Sequence, residues 1–178
     1  MNQAQTNGRA QAEKLHPIAA IVRNESGVLA RIAGLFARRG FNIDSLAVGE
    51  TEDPRYSRMT IVVRGDDRVL EQVVKQLNRL IDVIRVSDFV GAPHVERELA
   101  LVKVHAPPGR RSEVIELVEV FRGKIVDVSR RTLTVEISGD AEKVEAFIEL
   151  IKSYGIMELA RTGRIVLARG RERALPVP

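Results

Sequence analysis

At 178 residues the chain has room for one ordinary domain or two small ones, and 44% hydrophobic with 29% charged residues fit neither a disordered nor a membrane-spanning class. Zero cysteines exclude disulfides, cysteine-based zinc sites and thiol nucleophiles, and Met1-Asn2-Gln3-Ala4-Gln5 lacks the basic flank and apolar run of a signal peptide, so a cytoplasmic chain is expected. The net charge of +4 invites nucleic acid, but residues 1–14 hold +1 of it and residues 169–178 hold +2, which leaves the body nearly neutral.

Residues 1–14 are rich in Gln, Asn, Ala and Gly without an apolar period and read as a loose tail. Ile18, Ala20 and Val22 alternate as a strand. Asn24, Ser26 and Gly27 turn into a helix with Leu29, Ile32, Ala33 and Phe36 on its apolar face, closed by Gly40. Residues 41–48 form a second strand, and the polar loop 50–57 returns as the strand Met59 to Arg64. Asp66 caps a helix that buries Leu70, Val73, Val74, Leu77 and Ile81, and Val83 to Val90 is a fourth strand.

Sliding the sequence over itself by 74 positions superposes Thr60 on Thr134, Gly65 on Gly139, Asp66 on Asp140, Glu71 on Glu145 and Leu77 on Ile151. The second copy starts at Leu99 to His105. It places Val114, Leu117, Val118 and Phe121 on a helix with Ser112 as candidate N-cap, with Gly123 following as Gly40 does. Two strands flank a turn near Arg130 and Arg131, the helix after Asp140 buries Val144, Phe147, Ile148 and Ile151, and residues 156–167 close the unit. Each copy is βαββαβ, so the fold class is α+β with two ferredoxin-like units in tandem. They span 15–90 and 98–168, joined by a linker over 91–97 and followed by a loose basic tail, 169–178. Each unit has a bare sheet face and open edges, which favours a dimer.

Catalysis finds little support. His16, His94 and His105 lie far apart, no nucleophile-elbow, Walker or dinucleotide fingerprint is present, and no metal site is expected. Asp66-Asp67 is explained by capping; Glu50, Glu52 and Asp53 sit in a loop beside Arg55 and Arg58 and read as solvated. The strands that would stack RNA bases in a fold of this order carry no aromatic residue, which argues against nucleic acid.

The most informative segment is Arg23-Asn24-Glu25-Ser26-Gly27-Val28-Leu29. Free amides at a helix N-terminus suit a carboxylate, the Asn24 side-chain oxygen can accept from an ammonium group, and Gly27 lets a ligand approach the backbone. Those are the two ends of a free α-amino acid. Plain capping by Asn24 or Ser26 explains the segment equally well. In the second copy the turn is Ala106-Pro107-Pro108-Gly109-Arg110, where prolines remove donors, so any ligand belongs to the first unit.

The runs from Asn24 to Arg31 and from Gly34 to Leu46, with Asp53-Pro54, Ser57-Arg58-Met59-Thr60-Ile61, the stretch Gln76 to Val83, His94 to Leu99 and Phe121-Arg122-Gly123, resemble the regulatory small subunit of acetolactate synthase (acetohydroxyacid synthase). The N-x-x-G turn alone marks the broader ACT family of amino-acid sensors. The resemblance implies an ACT domain over 15–90 and no active site in this chain. It implies a partner, the catalytic large subunit carrying thiamine diphosphate, Mg²⁺ and FAD, which the chain activates and makes sensitive to a branched-chain amino acid, usually valine. It assigns the effector to Asn24 and Gly27 of one chain and Asn42 of another across a homodimer, with Val28, Leu29 and Ile43 supplying backbone groups and an apolar wall. The alternative is a stand-alone ACT-type regulator of another enzyme.

Overall fold

The structure, a computed structural model, describes residues 14–170 and 174–178; the predicted tail over 1–14 lies outside the described residues except for Lys14, which is the first residue of a strand, and residues 171–173 of the predicted basic tail lie outside them too. The first unit runs β1 (Lys14–Arg23), α1 (Val28–Arg39), β2 (Ile43–Glu50), β3 (Tyr56–Gly65), α2 (Asp67–Leu77) and β4 (Val83–Asp88). The second runs β5 (His94–His105), α3 (Arg111–Val120), β6 (Lys124–Val128), β7 (Thr132–Gly139), α4 (Ala141–Ile151) with a 3₁₀ turn at Lys152–Tyr154, β8 (Ile156–Arg161) and β9 (Ile165–Ala168). The sheets have the same antiparallel order, β2-β3-β1-β4 and β6-β7-β5-β8, as the 74-residue repeat requires.

Strand alternation builds each core. Ile18, Ala20 and Val22 on β1 and Met59, Ile61 and Val63 on β3 face Ile32 and Phe36 of α1 and Leu70, Val73 and Leu77 of α2. Ala100, Val102, Val104, Leu133, Val135 and Ile137 repeat the arrangement under Val114, Val118, Phe147 and Ile151. Both aspartate caps form as predicted: Asp66 Oδ1 accepts from the Val69 amide and Asp140 Oδ1 from the Lys143 amide, each at 2.9 Å. Asp66→Ala and Asp140→Ala should each cost about 1 kcal/mol, read as a lower urea midpoint, with Asn at either position keeping most of the loss back.

Several local expectations are corrected. Helix α1 is turned so that Val28, Ile32, Leu35 and Phe36 are buried, while Leu29 and Ala33 are exposed. Ile81 lies beyond the end of α2 and is 84% exposed. Helix α3 starts two residues earlier than a Ser112 cap would allow; its N-cap is Arg110, with no side-chain bond. At the end of α3 it is Arg122, φ 52, that takes the left-handed conformation, not Gly123. Gly123 is required for a different reason: a Cβ there would lie 3.2 Å from the Glu136 carbonyl oxygen.

The largest difference is at the junction of the units. Residues 94–97, predicted as linker, are the first third of β5 and pair with β9, while the rest of β5 pairs with β7 and β8. The single closing strand expected over 156–167 is therefore two, parted at Gly163 with φ +76. The short β5–β9 ribbon covers the sheet face of the first unit that was expected to be bare. Ala19, Phe89 and Val166 form a small core there with Ala168 and Leu175 against it, so Leu175 in the predicted loose tail is anchored. Thr60 and Val62, on the same face, are also buried. Arg58 is fixed beneath the ribbon, its Nη2 donating to the Val166 carbonyl at 2.9 Å.

Candidate functional site

The turn between β1 and α1 is built by three constraints. The Asn24 amide donates to the Arg55 carbonyl at 2.8 Å, Gly27 takes φ +85 as the N-cap of α1, and the Val28 amide reaches the Glu25 carbonyl at 3.3 Å. No side chain caps α1, so capping by Asn24 or Ser26 is overturned. The Asn24 amide nitrogen instead donates to Glu50 Oε1 at 3.0 Å and to the Pro54 carbonyl at 2.9 Å. Both partners are acceptors, which fixes the orientation of the amide and turns its oxygen away from them. At the start of α1 the Leu29 and Ala30 amides have no partner among the described residues.

A positive group flanks the same turn, and the sequence did not single it out. Arg31 Nε donates to Asp82 Oδ2 at 2.6 Å, a bond that raises the guanidinium above its ordinary pKa. A Cβ placed on Gly27 would lie 3.3 Å from Arg31 Nη1. The helix N-terminus, its free amides and a guanidinium therefore all favour an anion at this position.

Asn42 is not brought to this turn. Arg23 pairs with Tyr56 and Ile43 pairs with Val63, so Asn24 and Asn42 sit at opposite ends of the sheet. Asn24 meets Arg55 and Asn42 meets Arg64, so nine residues part them, about 30 Å, far more than the length of a free amino acid. Asn42 is exposed, and its carbonyl accepts from the Arg64 amide at 3.5 Å. Val28 is buried, Leu29 is half exposed and Ile43 is partly buried against the core. One chain thus holds the Asn24 turn and Asn42 apart, one at each end of β3.

The other candidate groups are accounted for structurally. Asp66 is a cap, Glu50 holds Asn24, and Asp53 is paired with Arg55, whose hydrogen bonds hold the carboxyl below the usual carboxylate range. The loop 50–57 is thus tied to the site rather than merely solvated. Among the described residues no group of three or more His, Asp or Glu is placed to hold a metal ion, and no helix is long and apolar enough to cross a membrane.

Comparison with known proteins assigns both halves of the chain. Residues 18–85 match the model of the AHAS small subunit-like ACT domain, and residues 97–170 match that of the small subunit of acetolactate synthase. A probable acetolactate synthase small subunit from Archaeoglobus fulgidus is 58% identical over 158 residues, covering 89% of this chain and 99% of that protein. The chain belongs to the acetolactate synthase small-subunit family. The small subunit from Aquifex aeolicus is 59% identical over 86% of this chain and 81% of its own length. The crystal structure of the Thermotoga maritima small subunit superposes with a TM-score of 0.82 at 45% identity, covering 89% of this chain and 99% of that one. The first unit is accordingly an ACT domain, and both units have the ferredoxin-like order expected from the repeat.

Proposed function

We propose that the chain is the non-catalytic regulatory subunit of acetolactate synthase: it binds the catalytic large subunit, raises its activity, and makes it sensitive to a branched-chain amino acid, with valine as the leading effector. Thiamine diphosphate, Mg²⁺ and FAD belong to the large subunit in this reading. The reaction, joining two pyruvates or pyruvate and 2-oxobutyrate with loss of CO₂, belongs to the complex.

The observation that carries the reading is the pair of half-sites. The Asn24–Gly27 turn offers an acceptor for an ammonium group and N–H donors for a carboxylate, and Asn42 offers a second amide too far away to serve the same ligand in one chain. A second copy, related by a twofold axis, would put its Asn42 against the first copy's turn and create two equivalent sites. The ligand would then bridge two chains, and its differential affinity for two dimer geometries would couple binding to the partner enzyme. Val28, Leu29 and Ile43 supply backbone groups and an apolar wall for a branched side chain.

Asn42→Ala is expected to weaken valine inhibition of the reconstituted complex about tenfold while leaving activation of the large subunit nearly unchanged, because an exposed amide contributes to the ligand and not to the fold. Steady-state assays of the complex across a valine titration check this. Loss of activation together with inhibition would make Asn42 a structural residue.

A further inference from the structure

The effector half-site at Asn42 is joined to the rest of β2 through an irregular step. Ile43 pairs with Val63 but Ser45 pairs with Val62, so the ladder register shifts at Asp44. Beyond the shift, towards Asn42, the segment is held by Ile43 and by the long Arg64–Asn42 backbone bond. The bulged residue is pinned on one side by Arg64 Nη2, which donates to Asp44 Oδ1 at 2.8 Å. On the other side, the second unit makes the contact: the Arg164 amide donates to Ser45 Oγ at 3.4 Å, and a Cβ on Gly163 would meet the Leu46 carbonyl oxygen and Ser45 Cβ at 3.4 Å.

The turn that makes this contact is itself braced. Gly163 is left-handed, Thr162 Oγ1 donates to its carbonyl at 2.8 Å, and Arg164 lies near Glu96 on β5 with both side chains largely buried. Beyond it, β9 is fastened to the first unit's sheet by Val166 and by Arg58. Around the contact lies a cleft of about 1170 Å³ between the units, lined by Asp44, Arg64, Glu98 and Arg161 among others, so the turn touches β2 at a narrow bridge beside open space.

We propose that the Thr162–Arg164 turn of the second unit is the positioning element of the effector site, setting where Asn42 and Ile43 stand by bearing on Ser45 and Leu46. The proposal rests on the reading of Asn42 as an effector residue. The second unit then controls effector affinity without touching the effector, and by reciprocity effector binding changes the disposition of the second unit. Thr162, Gly163 and Arg164 are positioning residues.

A double-mutant cycle on valine binding to the full chain, read by titration calorimetry, tests this. Gly163→Val adds bulk against the Leu46 carbonyl and a side chain to a left-handed backbone, and is expected to raise the valine dissociation constant about tenfold. In the Asn42→Ala background the same substitution should change the constant less than about twofold, because its effect passes through Asn42. Ser45→Ala, which leaves the backbone unstrained, is expected to weaken binding about threefold with the same loss of effect in the Asn42→Ala background. It carries the test should Gly163→Val fail to fold. The proposal is overturned if both variants bind valine as the native chain does while Asn42→Ala binds it poorly, or if their effects add to that of Asn42→Ala. A native chain that binds no branched-chain amino acid would overturn the effector reading itself, and the positioning role with it.

Discussion

Gly27→Asp is expected to raise the valine dissociation constant of the isolated chain about a hundredfold in a calorimetric titration, the largest binding loss of any single change considered. The backbone cause is modest: φ is +85 at this position, and an L-residue there costs about 1–2 kcal/mol of stability. The electrostatic cause is larger. An aspartate side chain would start 3.3 Å from Arg31 Nη1, pair with the guanidinium, and place a negative charge at the helix N-terminus, where the proposed site takes the effector carboxylate. Like charges placed together cost several kcal/mol, and about 2.8 kcal/mol is two orders of magnitude in affinity. Gly27→Ala separates the two causes, since it carries the backbone strain without the charge and should lose much less. Equal affinities for native and Gly27→Asp chains would remove the turn from the effector site.

Arg161→Ala is expected to destabilise the second unit by about 3–5 kcal/mol. Glu98 on β5 is only 3% exposed, and both of its carboxylate oxygens accept from Arg161, at 2.8 Å from Nε and 2.9 Å from Nη2. Removing the arginine strands a buried negative charge. Arg161 also donates to Glu145, and its bonds to the two carboxylates raise the guanidinium above its ordinary value. Because the penalty comes from the orphaned partner, the double variant Glu98→Met/Arg161→Met should recover most of it. Urea unfolding of the three chains, compared by midpoint at constant slope, measures the difference. A single variant as stable as the native chain would mean that water already reaches Glu98.

The repeat, the βαββαβ element order and the aspartate caps were legible because each rests on local pattern: alternation in the strands, a Gly-Asp pair before each second helix, and the same spacing twice. The face of α1 was less so. Leu29, Ile32, Ala33 and Phe36 fit a helical stripe as well as Val28, Ile32, Leu35 and Phe36 do, and only packing on the sheet selects the second set. The split of the last strand at Gly163 was hidden because apolar residues continue on both sides of it, and only the partner strand tells which half pairs where.

At the candidate site the residue types were readable and their bonds were not. Asn24 and Gly27 stand out as polar and flexible residues between a strand and a helix. That Asn24 is held by Glu50 and Pro54 depends on a hairpin loop 26 and 30 residues away, and the bond of Arg31 to Asp82 joins residues 51 apart. The separation of Asn24 from Asn42 follows from the register of β1 and β2 on β3, which no local pattern encodes.

The most direct measurement is acetolactate formation by the catalytic large subunit alone and mixed with this chain, each titrated with valine, leucine and isoleucine. Adding the chain is expected to raise the rate, and at least one of the three amino acids, valine first, should then lower it, with no such inhibition of the large subunit alone and no turnover by the chain alone. A rate that the chain leaves unchanged, together with no amino-acid inhibition of the mixture, would contradict the regulatory role.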